Sequence, residues 1–201
     1  MFNKIVIGID QSYANTGLSI GSDNILRLVK SIHLDKGKMT NSDKRSMIRA
    51  VLRKVIEANI HKSLEMEIII ERIRLQSKGF INIDYIKSIG ALNAVIVDTA
   101  REYEVKVFSV DTRCWKSTIV GTSKPLENNF GFAPEKYPTI LFVKKLGFEE
   151  SIMIEVSKQK KKGVFIRDGK RYVYNDDAAD SAGICLYGFI PKEKQKLEEE
   201  H

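Results

Sequence analysis

The sequence has few cysteines and no long apolar run, and each absence excludes a class of protein. Cys114 and Cys185 are its only cysteines, and their spacing excludes a disulfide scaffold and a zinc ribbon. No apolar run approaches the roughly 18 residues of a membrane span. No leader-like stretch precedes the strand-like segment at 4–9, so we expect a cytoplasmic protein without a membrane partner.

Length and charge narrow the choice further. A chain of 201 residues can bury about 70% of its unfolded surface, so we predict one domain over 1–190 and a charged, flexible tail over 191–201. The 33 basic residues outnumber the 26 acidic ones, which gives a net charge of +7. A basic domain favours a polyanionic partner, and nucleic acid before a membrane surface.

The order of the predicted elements indicates a mixed α/β sheet. Three strands form an antiparallel meander up to residue 33, and two further strands at 67–71 and 105–110 alternate with helices. We therefore predict a ribonuclease H-like mixed five-stranded sheet, with the meander joined to two parallel strands and helices on both faces. The predicted helices cover 43–61, 83–103, 115–120, 137–146 and 176–189.

The segment 151–174 predicts a small β-meander inserted before the last helix. Asp168 and Gly169 form a strong tight-turn signal between two short apolar stretches. Its basic side chains would bind phosphate without reading bases, unless the segment is simply a solvated hairpin. Those proposed to bind DNA are Lys160, Lys161, Lys162 and Arg171.

Four acids form the candidate site. Asp10 and Glu71 end two buried strands, so they share one edge of the sheet if those strands are neighbours. Asp177 and Asp180 lie on one face at the start of the last helix. Clustered carboxylates raise one another's pKa, and divalent cations such as Mg²⁺ resolve that conflict. Asp10 alone also suits a turn, whereas a Glu at a buried strand end, such as Glu71, seldom lacks a partner. We expect Asp176 or Asp177 to cap the last helix.

Four motifs resemble those of RuvC-type Holliday junction resolvases. Residues 8–17 resemble the G-x-D-x-x-x-x-x-T-G opening of that family, and Glu71 its second acidic strand end. The segment 115–121 resembles its V-K-x-x-V-V-G stretch, and 177–182 its D-A-A-D-A-x helix start. The motifs occur in the family's order across about 170 residues.

The resemblance implies a homodimeric endonuclease that resolves four-way DNA junctions by paired symmetric nicks. Two Mg²⁺ ions, which Mn²⁺ can replace, would be held by the four acids. Lys116 matches a catalytic basic residue near the scissile phosphate, and Lys136 matches a second basic residue that contacts DNA. The divergence of the sequence is typical of phage-encoded members, which debranch replicating DNA.

One departure from the family lies after the second acid. Family members often carry an aromatic residue three positions later, which wedges into the junction, and this chain has Arg74 there. Phe80 can supply the missing ring, and a guanidinium can stack on a base. The predicted DNA contacts in this stretch are Arg72, Arg74, Lys78 and Phe80.

The helix at 83–103 predicts the dimer interface. Its apolar residues cover more than the stripe that one core contact needs, which indicates burial against the sheet and against a second copy. A helix wholly buried within a monomer is the alternative.

Three other functions are considered. Sugar kinases and actin-like ATPases share this core fold but need a duplicated domain, and the sequence has no repeat. A ribonuclease H acting on RNA–DNA hybrids would use the same metal chemistry. A non-catalytic protein that binds branched DNA would keep the acids only for folding.

Overall fold

The computed structural model describes residues 1–34, 37–73, 83–122, 124–127, 133, 135–156 and 163–201. Its centre is a six-stranded sheet made of β1 (Phe2–Asp10), β2 (Asn15–Ser22), β3 (Ile25–His33), β4 (Ser63–Glu71), β5 (Lys106–Val110) and β9 (Leu197–Glu199). The strand order across this sheet is β3-β2-β1-β4-β5-β9. Strands β1, β4 and β5 are parallel, and the remaining neighbours are antiparallel.

The first five strands confirm the predicted mixed sheet, and β9 corrects the predicted strand count and the flexible tail. Leu197 packs against the core, and β9 pairs with β5 through residues 197–199. Glu198 forms an ion pair with Arg72, and Glu199 one with Lys106. The pattern of an acidic run does not predict a β-strand. Here the run pairs with an open sheet edge, and the basic side chains beside that edge form ion pairs with it.

Helices cover both faces, as predicted. Helices α1 (Asn41–Asn59) and α2 (Ile83–Arg101) lie on one face, and α4 (Tyr137–Lys145) and α5 (Asp176–Tyr187) on the other. Between β5 and α4 a short helix α3 (Thr112–Trp115) continues into a π-helical turn at Lys116–Val120. Short 3₁₀ turns cover Ile60–Lys62, Glu150–Ile152 and Lys192–Lys194.

Alternation along the central strands divides the core between the two faces. Ile7, Ile9, Ile68 and Ile70 pack against α1 and α2. Val6 and Ile69 point to the opposite face, under α5. Period-two side chains that are apolar on both faces are typical of a central strand covered on both sides.

The inserted meander is also present as predicted. Strands β6 (Met153–Glu155), β7 (Phe165–Arg167) and β8 (Lys170–Tyr174) form a separate antiparallel sheet in the order β6-β8-β7. Asp168 and Gly169 turn between β7 and β8 with φ values of 51° and 74°, a left-handed geometry that suits an Asp-Gly pair. β8 leads directly into α5.

Among the described residues, no helix has the length and apolar character that crossing a membrane requires.

Candidate active site

The ends of β1 and β4 bring the first two acids together. These strands are parallel neighbours, and Ile9 pairs with Ile70 in their register. Asp10 and Glu71 therefore follow at the same carboxyl edge of the sheet, as the sequence predicts. Gln11 joins the two ends, since its side-chain amide donates to the Glu71 carbonyl oxygen (2.5 Å) and its oxygen accepts from the Glu71 N–H (3.3 Å).

Two glycines allow α5 to carry the other two acids to this edge. A Cβ at Gly8 would lie 2.3 Å from the Ser181 carbonyl oxygen, and one at Gly17 would lie 1.9 Å from the Asp177 carbonyl oxygen. Any larger residue would push the helix away from β1 and β2. The glycines of the opening motif thus permit the close approach that places Asp177 and Asp180 beside Asp10.

Asn175 caps α5, which corrects the expectation that Asp176 or Asp177 does so. The Asn175 side chain accepts from the Ala178 N–H. Both aspartates lie in the first helical turn instead, where the helix dipole favours negative charge.

The electrostatics of Asp10 show that the acids form one cluster. Burial of the carboxyl raises the pKa of Asp10 well above its ordinary value, although the side chain as a whole is only half-buried. The negative charges of Asp180, Glu71, Asp177 and Asp176 raise this pKa further. An Asp10 carboxylate is therefore costly unless a cation joins the cluster.

Lys116 supplies part of the missing positive charge. Its Nζ lies 3.2 Å from Asp180 Oδ2, and both side chains are more than four-fifths buried. Burial still raises the pKa of Asp180 to about 6, with Lys116 opposing the rise and Glu71 adding to it. One lysine thus leaves Asp180 incompletely neutralised.

The carboxylate of Glu71 is held by two donors from the segment after β5. The Thr112 hydroxyl donates to Oε1 at 2.6 Å, and the Trp115 indole Nε1 donates to Oε2 at 3.2 Å. Trp115 is fully buried, so its donor is fixed by packing.

Lys136 lies at the same edge and forms an ion pair with Asp176. Burial lowers the pKa of Lys136, but the neighbouring acids outweigh this, and the net direction is upward. The lysine is therefore charged where it lies beside the cluster.

The residues fit a divalent cation by their chemistry. All four acids offer hard carboxylate oxygens, the ligands that Mg²⁺ prefers. Asp180 Oδ1 is buried and makes no hydrogen bond of normal geometry among the described residues, although the buried Thr139 hydroxyl lies near enough to lower the pKa of Asp180. Within those same residues, no three acid, His or Cys side chains already converge as a ligand group. Thr112, Trp115 and Lys116 already contact the Glu71 and Asp180 carboxylates, and each carboxylate keeps further acceptor positions for a cation.

The structure gives the positions of two of the remaining predicted DNA contacts. Arg72 follows Glu71 directly and forms a 2.9 Å ion pair with Glu198. Arg171 is half-buried on β8 of the small sheet. The others lie outside the described residues, namely Arg74, Lys78, Phe80, Lys160, Lys161 and Lys162.

Sequence reasoning missed the side chains that contact the acids. Gln11, Thr112 and Trp115 donate to Glu71, and Asp176 takes part in the charge cluster. The positions of two of these residues in the sequence could have indicated such contacts. Thr112 follows the end of β5 at the same edge of the sheet, and Trp115 directly precedes Lys116.

No protein-family model matches this sequence, and no curated protein matches it. Several solved structures, however, are similar to this chain. The complex of Thermus thermophilus RuvC with a Holliday junction substrate matches with a TM-score of 0.60 and 13% identity, over 98% of this chain and 100% of that chain. A second Thermus thermophilus RuvC structure matches with a TM-score of 0.54 and 15% identity, over 90% of this chain and 91% of that one.

This chain has the RuvC fold. The similarity extends over nearly the whole of both chains, so the small sheet and the last helix are included in it. It agrees with the ribonuclease H-like mixed sheet that the sequence predicts. A yeast mitochondrial Holliday junction resolvase is also similar, with a TM-score of 0.49 and 14% identity over 90% of this chain and 75% of that one.

Proposed function

We propose that this protein is a structure-selective, Mg²⁺-dependent endonuclease that resolves four-way DNA junctions by paired symmetric nicks, in recombination or in the debranching of phage DNA. The observation that carries the proposal is the cluster of Asp10, Glu71, Asp177 and Asp180 beside Lys116, at one sheet edge of the RuvC fold. The protein would act in the cytoplasm of a bacterial cell, or of the host if it is phage-encoded.

The four acids would hold two Mg²⁺ ions, with Mn²⁺ as a substitute. When bound, the ions supply an activated water and neutralise charge on the phosphodiester. Asp10 lies centrally, because the charges of the three other acids all act on it. Lys116 already lies against Asp180, so it can contact the phosphate as negative charge develops there. Hydrolysis would leave 5′-phosphate and 3′-hydroxyl ends.

Basic side chains around the cluster would bind the DNA backbone. Arg72 and Lys136 flank the acids, and each is paired with a carboxylate that a phosphate can replace. Such contacts make binding strongly dependent on salt and independent of base sequence. The full proposed set is Lys116, Lys136, Arg72, Arg74, Lys78, Phe80, Lys160, Lys161, Lys162 and Arg171.

A homodimer through α2 would present two such sites to a junction with twofold symmetry. The inner face of α2 is buried through Ile89, Leu92 and Ile96. Ile83 and Tyr85, near its start, are 62% and 61% exposed. An apolar surface that the monomer leaves open is what a second copy would cover.

The test compares cleavage of a labelled four-way junction with that of a linear duplex of the same sequence, in Mg²⁺ and in chelator. The proposal predicts paired symmetric nicks in the junction alone, which are lost in chelator. Tight junction binding without cleavage in Mg²⁺ or Mn²⁺ would instead establish a non-catalytic branched-DNA-binding protein. Cleavage of an RNA–DNA hybrid in preference to the junction would establish a ribonuclease H-type nuclease.

A further inference from the structure

The segment after β5 contacts two acids of the cluster through neighbouring residues. Thr112 and Trp115 donate to the two different oxygens of Glu71, and Lys116 pairs with Asp180. Three side chains within five positions thus determine where two carboxylates lie. The segment ends in a π-helical turn, a geometry often found at functional sites.

Both donors to Glu71 are held in place, the indole by packing and the hydroxyl through its backbone. Thr112 is the first residue of α3, which Asp111 caps by accepting from the Arg113 N–H at 2.9 Å. Trp115 is fully buried against α5, and a Cβ at Gly183 would lie 2.4 Å from its ring. The indole therefore cannot follow Glu71 if that side chain rotates, and the Thr112 hydroxyl can follow only as far as its own side-chain rotation reaches.

The donors orient Glu71 without using up its capacity to accept. An ionised carboxylate has about four acceptor positions on its two oxygens, and each donor takes one position on a different oxygen. At least one position on each oxygen therefore remains for a cation. Partners of this kind fix ligand orientation in metal sites, and their loss weakens metal affinity about 10–100-fold.

We infer that Thr112 and Trp115 are positioning residues, which hold Glu71 in the orientation that a divalent cation requires. We also infer that Trp115, the only tryptophan of the chain, reports cation binding through its hydrogen bond to Glu71. This rests on the part of the proposed function that makes Glu71 a metal ligand. It assigns a role to two residues whose side chains need not touch DNA.

The test measures Mn²⁺ binding by calorimetry in the absence of DNA. Thr112→Val removes the hydroxyl but keeps the shape, and we expect about 10–100-fold weaker binding. Thr112→Ser restores the hydroxyl and should restore the affinity. Trp115→Phe removes the indole N–H while retaining an aromatic ring, and should weaken binding in the same range. Thr118→Val is the matched control, because the Thr118 hydroxyl donates to the Cys114 carbonyl within the same segment.

Fluorescence gives an independent readout. Titration of the wild-type protein with Mg²⁺ should change Trp115 emission, with a midpoint that matches calorimetry. Glu71→Gln should lose this response, and Thr112→Val should shift its midpoint to higher concentration. Thermal melts followed by circular dichroism check that each variant is folded. If Thr112→Val does not fold, Thr112→Ser and Trp115→Phe still test the inference.

Several results would overturn the inference. Wild-type Mn²⁺ affinity in folded Thr112→Val and Trp115→Phe would show that the donors only stabilise the segment, and tighter binding would show that they sequester Glu71. No cation binding by the wild-type protein would also end it. Failure of the proposed function looks different: the wild-type protein and its variants would bind Mn²⁺ as inferred, yet no junction would be cleaved.

Discussion

One group of acidic side chains lies near each end of α5, on the face of the sheet that this helix covers. The two groups differ in how their negative charge is neutralised. At the C-terminal end of α5, Glu67 of β4 is 3% exposed, and Lys4 lies 2.6 Å from it. Lys192 pairs with Glu65 and lies 3.8 Å from Glu67. Lys4 also donates to the Gly188 carbonyl, where the helix dipole favours a cation. Two glutamates there face two lysines.

At the N-terminal end of α5, the acids outnumber the lysines among the residues that the structure describes. Glu71, Asp176, Asp177 and Asp180 all act on Asp10, while Lys116 pairs with Asp180 and Lys136 with Asp176. Both ends bury carboxylates, and burial raises the pKa of Glu67 as it does that of Asp10. The difference is the counter-charge: Lys4 offsets the rise in the pKa of Glu67, to which Glu65 adds, whereas four acids add to the rise in the pKa of Asp10. The C-terminal end is a structural ion cluster, and the N-terminal end is where the proposed function places the cations.

The largest expected effect is a loss of cleavage, and it should occur only when the acids at the N-terminal end of α5 are changed. Asp10→Asn should abolish junction cleavage, because it removes the central carboxylate, and should leave junction binding intact. It should also stabilise the fold by on the order of 1 kcal/mol at neutral pH, since a buried like-charge conflict is relieved. Cleavage assays and urea unfolding measure the two effects. Cleavage that survives the change would show that the site has been assigned wrongly.

The second prediction is the opposite for the C-terminal end of α5, where a substitution should lower stability and leave cleavage unchanged. Glu67→Gln should destabilise the fold by about 2–3 kcal/mol, because it leaves the largely buried Lys4 without its carboxylate. Cleavage should be unchanged once the protein is folded. Urea unfolding and the junction assay again provide the two readouts. A large loss of cleavage with little loss of stability would contradict the structural role of this end.

The third prediction concerns the pH dependence of stability in chelator. A carboxyl whose pKa is higher in the folded chain favours folding at low pH, and the contribution of Asp180 is fully present below about pH 4. It is lost as the pH rises through the folded pKa of about 6. The wild-type protein should therefore lose about 1.4 kcal/mol relative to Asp180→Asn between pH 5 and 7.5.

Mg²⁺ should recover that loss, since a bound cation neutralises the same carboxylates. The difference between the wild-type protein and Asp180→Asn is what matters, because other carboxyls titrate in both proteins. An equal pH dependence of the two would mean that Asp180 is neutralised without a metal. That result would remove the contrast between the two ends of α5.

Sequence patterns predict the strand ends well and the side-chain partners poorly. Asp10 and Glu71 follow apolar β-branched runs, so their shared edge is set by local pattern and by parallel pairing. Thr112 and Trp115 reach Glu71 only because α3 turns back beneath α5. That contact depends on tertiary packing, which no local spacing encodes. The pairing of Glu198 with Arg72 depends likewise on an open sheet edge far away in the sequence.

The smallest expected effect lies where the C-terminal segment connects the two ends of α5. This segment starts at Lys192, in the ion cluster, and reaches Glu198, which forms an ion pair with Arg72 beside the acid site. Glu198→Gln should free Arg72 for phosphate and tighten junction binding by at most about fivefold, because an exposed ion pair contributes no more than about 1 kcal/mol. Fluorescence anisotropy at low salt measures the change.

The matched control for Glu198→Gln is Glu193→Gln. It removes one negative charge from the exposed 3₁₀ turn Lys192–Lys194 of the same segment, so it reproduces the change in net charge without touching Arg72. If the two variants tighten binding equally, only the overall charge matters, and the tail does not compete with DNA for Arg72. If only Glu198→Gln does so, and added salt removes the difference, the acidic strand occupies a phosphate position at the edge of the site.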